Sequence, residues 1–257
     1  MNTIHRYASS IANKLNALAA TREVGPAPDV FNDFIQSVFN MIADPQMMDS
    51  LKIGRGISVK DGWRTPLRHY KGHPQSREML GAAVAEYGKA IIVCPPFSDI
   101  LGEICTEFGD PALGQFLSPS DVADLLTSVQ WAAQLRGDES APRSVSDETG
   151  CGAGGLILAW LRRTYERKGV CGIACLDVFV NDMDPWMMKA CCVQIAMPLL
   201  VKQMKLRSFR ASCCNVLLHP HPSQTAFVYE HESFKGRPDI GGFVDRLRMA
   251  AALAEST

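Results

Sequence analysis

The chain has 257 residues, of which 47% are apolar and 21% charged, with a formal net charge of −1. This is the composition of a soluble globular protein holding one large domain or two small ones, and it offers no global positive charge to a polyanion. No stretch approaches the roughly 20 apolar residues of a membrane span, so a membrane role is excluded and a cytoplasmic location expected.

The opening, MNTIHRYASSIANKLNALAATREVG, reads as a polar amphipathic helix without the apolar centre of a signal peptide. Residues 29–45 place Phe31, Phe34, Ile35, Val38, Phe39 and Ile42 at helical spacing, with Asp29 as N-cap and Pro45 beyond the end. A further helix is predicted over 76–92. Between these two, residues 52–77 carry Lys52, Arg55, Lys60, Arg64, Arg68, Lys71 and Arg77 against the single acid Asp61, interleaved with Trp63, His69 and Tyr70. The segment is a candidate DNA phosphate-contacting loop; the competing reading is a solvated loop. In residues 113–135, Ser118 can cap a helix whose first residue is Pro119, with Val122, Leu125, Leu126, Val129 and Ala133 as its buried stripe.

From residue 143 the pattern changes to strand and helix in alternation. RSVSDE (143–148) reads as a strand, 154–169 as a helix, the apolar run 171–182 as a strand buried on both faces, 185–204 as a helix opened by Pro185, and 208–218 as a third strand. Such an alternation implies a parallel, doubly wound sheet. Its ligand crevice lies outside the carboxyl ends of the strands. At the end of the first strand stands DETGCGAGG (147–155), with glycines at 150, 152, 154 and 155. Glycines allow a sharp turn and let a ligand lie against the backbone. Asp182, at the end of the second strand, stands where an acid would accept from both ribose hydroxyls. The spacing is not that of a dinucleotide fingerprint, and an acid (Asp147 or Glu148) precedes the turn. A carboxylate there would repel a pyrophosphate and pair with an amino group, which S-adenosylmethionine has.

FSDILGEICTEFGDPALGQFLSPSDVADLL, SDETGCGAGGLIL, VNDMDP and CCNVLL together resemble the N6-adenine DNA methyltransferases, in particular the modification subunits of type I restriction systems and their plasmid- and phage-borne relatives. The resemblance covers about residues 97–218. It implies a methyltransferase sheet behind a helical N-terminal region, S-adenosylmethionine as cofactor, and a role in DNA methylation and restriction-modification. It assigns the methionine-binding element to Gly114, Gln115, Phe116, Leu117, Ser118 and Pro119. The glycine turn falls on Glu148, Thr149, Gly150, Cys151, Gly152, Ala153, Gly154 and Gly155. The ribose acid is then Asp182, and the residue beside the cofactor adenine is Asn215. Thr149 and Gly150 depart from the family's proline and small residue.

The family's Asp/Asn/Ser-Pro-Pro-Tyr/Phe motif, which accepts from the adenine amine and stacks on the flipped base, does not occur downstream of Asn215. A look-alike, Cys94-Pro95-Pro96-Phe97, invites a circularly permuted reading. Cysteine is a poor acceptor for an amine, and too few residues separate it from the glycine turn, so the prolines are read as helix-start punctuation. Catalytic residues therefore stay unassigned. The alternative function is a catalytically inactive methyltransferase-derived module that modulates a restriction-modification or other DNA-processing complex. His219 and His221 alternate with prolines, and the nine cysteines form no Cys-x-x-Cys pair, so neither metal nor disulfides are expected. Trp186, Met187 and Met188 are read as packing residues, one of which could flank the cofactor's adenine.

The expectation is an α/β chain with a helical N-terminal domain (1–110) and a truncated Rossmann-like, S-adenosylmethionine-dependent methyltransferase core (111–257). A sheet ending after its third strand has an apolar edge that a partner chain or a second copy would cover.

Overall fold

The computed structural model describes residues 2–44, 57–108, 117–134, 143–147, 150–216 and 225–230. Helices α1 (Thr3–Ala20) and α2 (Ala27–Ile42) are followed by strand β1 (Ile57–Val59), a 3-10 turn (Arg68–Gly72), and helices α3 (Pro74–Val93), α4 (Ile100–Phe108) and α5 (Ser120–Gln134). The alternating part comprises β2 (Arg143–Asp147), α6 (Gly155–Ala174), β3 (Leu176–Asp182), α7 (Pro185–Val201), β4 (Ser208–Cys213) and β5 (Thr225–Glu230).

Helix α7 organises the packing. Every residue from Met187 to Leu200 is buried, and a helix apolar on all sides must be covered on all sides. One side lies against β3 and β4, and the others against α2, α3 and α4. The phenylalanines of α2 supply much of that cover, and Phe31, Phe34, Ile35, Val38, Phe39 and Ile42 are all buried as their spacing predicts. Residues on both sides of position 110 thus share one hydrophobic core, from Ala8 to Tyr229. At about 25 cal/mol per Å² of apolar area removed from water, this shared core dominates the favourable free energy of folding.

The sheet is mixed and five-stranded, in the order β1-β5-β4-β3-β2. Strands β2, β3 and β4 run parallel, and β4–β5 and β5–β1 are antiparallel. The parallel part follows the sequence reading; the two antiparallel strands do not. TAFVYE (225–230) is rich in β-formers and pairs along β4, with a bulge at Ala211/Ser212. The chain therefore does not leave the sheet after its third strand. Ile57–Val59, read as part of a basic loop, caps the far edge by pairing with Phe227–Tyr229.

Two further corrections concern helices, and one look-alike is settled. The start of the apolar run 171–182 is helical: α6 continues to Ala174 across a kink at Gly169 (φ 60°), and β3 begins only at Leu176. The residues before Pro95 form the end of α3, and no strand leads directly into the prolines. Phe97 is buried, with φ 62°, so its ring is not offered to a base. The prolines follow one helix and stand a short turn ahead of the next, which begins at Ile100.

In α5 the orientation is reversed. Val122, Leu125, Leu126 and Val129 are 43–65% exposed, while Ala123, Thr127 and Trp131 face inward. The helix is rotated by the groups that meet α6: Trp131 packs on Trp160 with ring centroids 5.4 Å apart, and Asp124 pairs with Arg162. A buried aromatic contact and an ion pair on one face fix the helix azimuth more firmly than aliphatic spacing does. The side chain of Ala133 lies outside the described residues.

Candidate functional site

The parallel register brings three strand ends together. Asp147 stands opposite Val180, and Asp182 opposite Cys213. Because β2 stops two positions short of β3, the chain leaving it bends back over the tip of β3. Cys151 N–H donates to the Asn181 carbonyl at 3.0 Å, and Gly152 N–H donates to Asp182 Oδ2 at 2.7 Å. The turn is therefore tied to the tip of the neighbouring strand.

Gly150, Gly152 and Gly154 have φ of 147°, 55° and 99°, a region in which a Cβ is strained. What each faces differs. A Cβ on Gly154 would meet Cys191 Sγ at 2.9 Å, so this glycine lets α6 start directly against α7. A Cβ on Gly152 would meet only the Leu117 side chain at 2.9 Å, and one on Gly150 would meet nothing within 4 Å. Gly150 and Gly152 thus face the cleft, whereas Gly154 serves packing. Gln115, Phe116 and Glu148 lie outside the described residues, as do His219 and His221.

Asp182 accepts twice from backbone, on Oδ2 from Gly152 N–H and on Oδ1 from Asp184 N–H at 2.8 Å. A carboxylate has about four lone-pair sites, so acceptor capacity remains after this brace. Asp147 is different: its Oδ2 is buried with no hydrogen-bond partner. Burial, and then the charge of Asp182, raise its carboxyl above the usual range. An unpartnered acceptor beside a bend of positive-φ glycines is a costly arrangement in an isolated protein, and a cation or amino group would relieve it.

Sequence reasoning missed the residues that hold the cleft together. Asp99 Oδ1 accepts from Gly102 N–H at 2.9 Å and from Gln194 Nε2 at 2.7 Å. Gln194, buried in α7, also donates to the Ala153 carbonyl at 3.0 Å and accepts from Leu101 N–H at 2.9 Å. One amide thereby joins the start of α4, the glycine bend and the buried helix. Burial raises the Asp99 carboxyl, against the opposing effect of these two hydrogen bonds. The sequence signal was a glutamine inside a helix that is apolar from Ala190 to Leu200 but for that residue.

Leu117, Ser118, Asp99, Asp147 and the glycine bend enclose a cleft of about 50 Å³. Ser118 is exposed at its rim, and α5 begins two residues later, at Ser120 rather than Pro119. Asn215 is half-buried just past the end of β4. The Cys151 thiol is held well above its ordinary range, by a hydrogen bond to Cys191 and then by burial, so it is no nucleophile. Five cysteines are buried and none is in a disulfide. Among the described residues no cluster of ligands could hold a metal, and no helix is long and apolar enough to cross a membrane.

The basic segment after residue 57 turns two of its aromatics toward the core, Trp63 in part and Tyr70 fully, and leaves His69 exposed. Tyr70 is buried, and His69 Nε2 lies 2.8 Å from Asp33 Oδ2. Trp63 stands with Phe39 and Trp186 around the Lys189 ammonium, at 5.4, 5.9 and 4.4 Å. Trp63 and Tyr70 anchor the segment to the core, while His69 stays exposed. Met187 and Met188 are buried packing residues, as expected. Lys52 and Arg55 lie outside the described residues.

No protein-family model matches the chain, and no curated protein matches it in sequence. Among solved structures it is similar to the type I restriction-modification system methyltransferase subunit from Streptococcus thermophilus. The sequence identity is 14% and the TM-score 0.39, over 85% of this chain and 53% of that one. The chain spans about half the length of that structure.

Proposed function

We propose that the cleft at the carboxyl ends of β2 and β3 is an S-adenosylmethionine site, and that the chain is an adenine-N6 DNA methyltransferase-like protein of Rossmann-like descent. The observation that carries this reading is the buried, unpartnered Asp147 Oδ2 beside the glycine bend. It suits the ammonium of the cofactor's methionine part, as the remaining acceptor sites of Asp182 suit ribose hydroxyls. Phosphate-bearing cofactors are disfavoured by the same carboxylates. The donors and acceptors fit the group, but the room does not while Leu117 fills the turn: a cleft of about 50 Å³ is far below the ~300 Å³ or more of a small-molecule pocket. Entry requires the Leu117 side chain, just ahead of α5, to swing aside. When bound, the cofactor would supply an electrophilic methyl group; this chain's own residues would hold and orient it.

A second reading, an inactive binding module that modulates a restriction-modification or other DNA-processing complex, is favoured by one observation. The single Pro-Pro-Phe element has its ring buried and a buried thiol in place of an oxygen acceptor. Under either reading DNA contact would fall to cations such as Lys60, Arg64 and Arg68 and to a partner chain or second copy.

Calorimetry with S-adenosylmethionine tests the shared premise. Binding that strengthens in Leu117→Ala and disappears in Gly152→Val supports it; no binding to either parent or Leu117→Ala overturns it. Transfer of labelled methyl groups to unmethylated DNA then separates the enzyme from the module.

A further inference from the structure

A second cavity lies at the opposite end of the same sheet, where the parallel strands begin. It measures about 430 Å³ and is lined by residues that include Trp131, Trp160, Arg143, Arg167 and Lys168. Arg143 opens β2 and Leu176 opens β3, and the kink at Gly169 turns the last stretch of α6 across the space between them. Among the described lining residues there is no carboxylate. Three cationic side chains around one cavity, with no acid among the described residues of its wall, favour an anion.

Two features show that the cavity suits more than a bare ion. Its volume falls within the range of small-molecule sites, which are predominantly apolar with a few placed polar groups. Its apolar wall is built from the Trp131–Trp160 pair and Leu176. Second, Trp160 is only 5% exposed, and its indole N–H has no acceptor. A buried donor without a partner is costly, and every polar group identified here either donates or is cationic. The complement is a ligand with a flat apolar body, an acceptor on that body and an anionic group. Lys168 Nζ already stands 5.8 Å from the Trp131 ring centroid, which places a cation beside the aromatic wall.

We propose that this amino-end cavity binds a nucleoside phosphate, the phosphate held by Arg143, Arg167 and Lys168 and the base packed against the two tryptophans. The site is independent of the carboxyl-end cleft, and neither requires the other. The nucleotide can be free, or it can be the phosphorylated end of a nucleic-acid strand.

The test uses the full chain with adenosine monophosphate, adenosine, inorganic phosphate and a 5′-phosphorylated oligonucleotide as probes. Tryptophan emission and calorimetry are the readouts. Saturable binding of the monophosphate, at least tenfold tighter than adenosine or phosphate alone, supports the site. So does its loss by tenfold or more in Arg167→Glu/Lys168→Glu, whose wild-type side chains are exposed and half-buried and which should fold normally. A Trp131→Phe variant should retain calorimetric binding with an altered emission change. If the oligonucleotide binds more tightly than the free nucleotide and is weakened by the same double variant, the strand end is the ligand. If no phosphorylated probe binds, if inorganic phosphate binds as well as the nucleotide, or if the double variant binds unchanged, the proposal is overturned. Displacement by S-adenosylmethionine in the parent but not in Gly152→Val would also overturn it, by assigning the signal to the other end of the sheet.

Discussion

The two ends of the parallel strands differ in charge, room and rigidity. At the carboxyl end, Asp99, Asp147, Asp182 and Asp184 gather around a glycine bend with a cleft of about 50 Å³. At the amino end, Arg143, Arg167 and Lys168 surround a cavity of about 430 Å³. The fold places ligands by rule at the carboxyl ends, yet of these two cavities the roomier lies at the other end. A rule about where a topology tends to bind does not replace an accounting of volume and unpartnered atoms. The carboxyl end is a closely braced structure with one unsatisfied acceptor; the amino end is roomy, with one unsatisfied donor.

The brace gives the largest expected effect. Gln194→Leu removes partners from Leu101 N–H, Asp99 and the Ala153 carbonyl at once. Leaving backbone groups unpaired and a buried carboxylate with only its Gly102 N–H partner should cost about 3 kcal/mol or more in urea unfolding. Gly154→Ala comes next. Its left-handed φ costs roughly 1–2 kcal/mol, and the contact with Cys191 adds overpacking of about 1 kcal/mol or more. Gly150→Ala, with open space around it, should lose only the conformational part. Equal losses at the two glycines would mean that the bend is not differentiated as described.

The pH dependence separates the two ends further. A carboxyl whose folded pKa is raised binds its proton more tightly when folded. Its contribution is therefore present below the ordinary carboxylate range and is lost as pH rises through the folded value. Asp99 and Asp147 are both raised, so unfolding free energy should fall from about pH 4 upward until both are ionised. Asp99→Asn keeps an oxygen for Gly102 and Gln194 while removing the charge. It should flatten that slope and leave neutral-pH stability within about 1 kcal/mol of the parent or above it. A slope unchanged in Asp99→Asn would show that the buried charge is not its source. The smallest effect belongs to Arg167→Glu/Lys168→Glu: stability within about 0.5 kcal/mol of the parent, the ligand response of the amino end being the only property lost.

The core was the most legible part of the sequence. The helical spacing of α2, the unbroken apolar run of β3 and the proline-opened α7 each record burial directly, because a chain cannot hide which positions avoid water. The glycine bend was legible for a related reason: positive φ leaves a compositional mark. Three things were not. β1 is a short strand whose existence depends on pairing with residues more than 150 positions away, Ile57 with Tyr229, and β5 is a strand joined to both it and β4; local propensity does not encode such pairings. The azimuth of α5 was misread because its aliphatic stripe is the more regular pattern, whereas one tryptophan and one ion pair set the packing. The inward turn of Trp63 and Tyr70 was hidden because aromatics among cations read alike whether they face a nucleic acid or their own core.

The residues alone therefore determined the identity of the buried elements, the parallel order of β2, β3 and β4, and the place of the glycine bend at the tip of β3. These follow from periodicity and backbone sterics, which act over a few positions. Tertiary structure decided the sheet's two extra strands, the direction α5 faces, the Gln194 brace and the two unsatisfied atoms at opposite strand ends. Each of these depends on which distant groups meet, and only the folded chain brings them within hydrogen-bonding or packing distance.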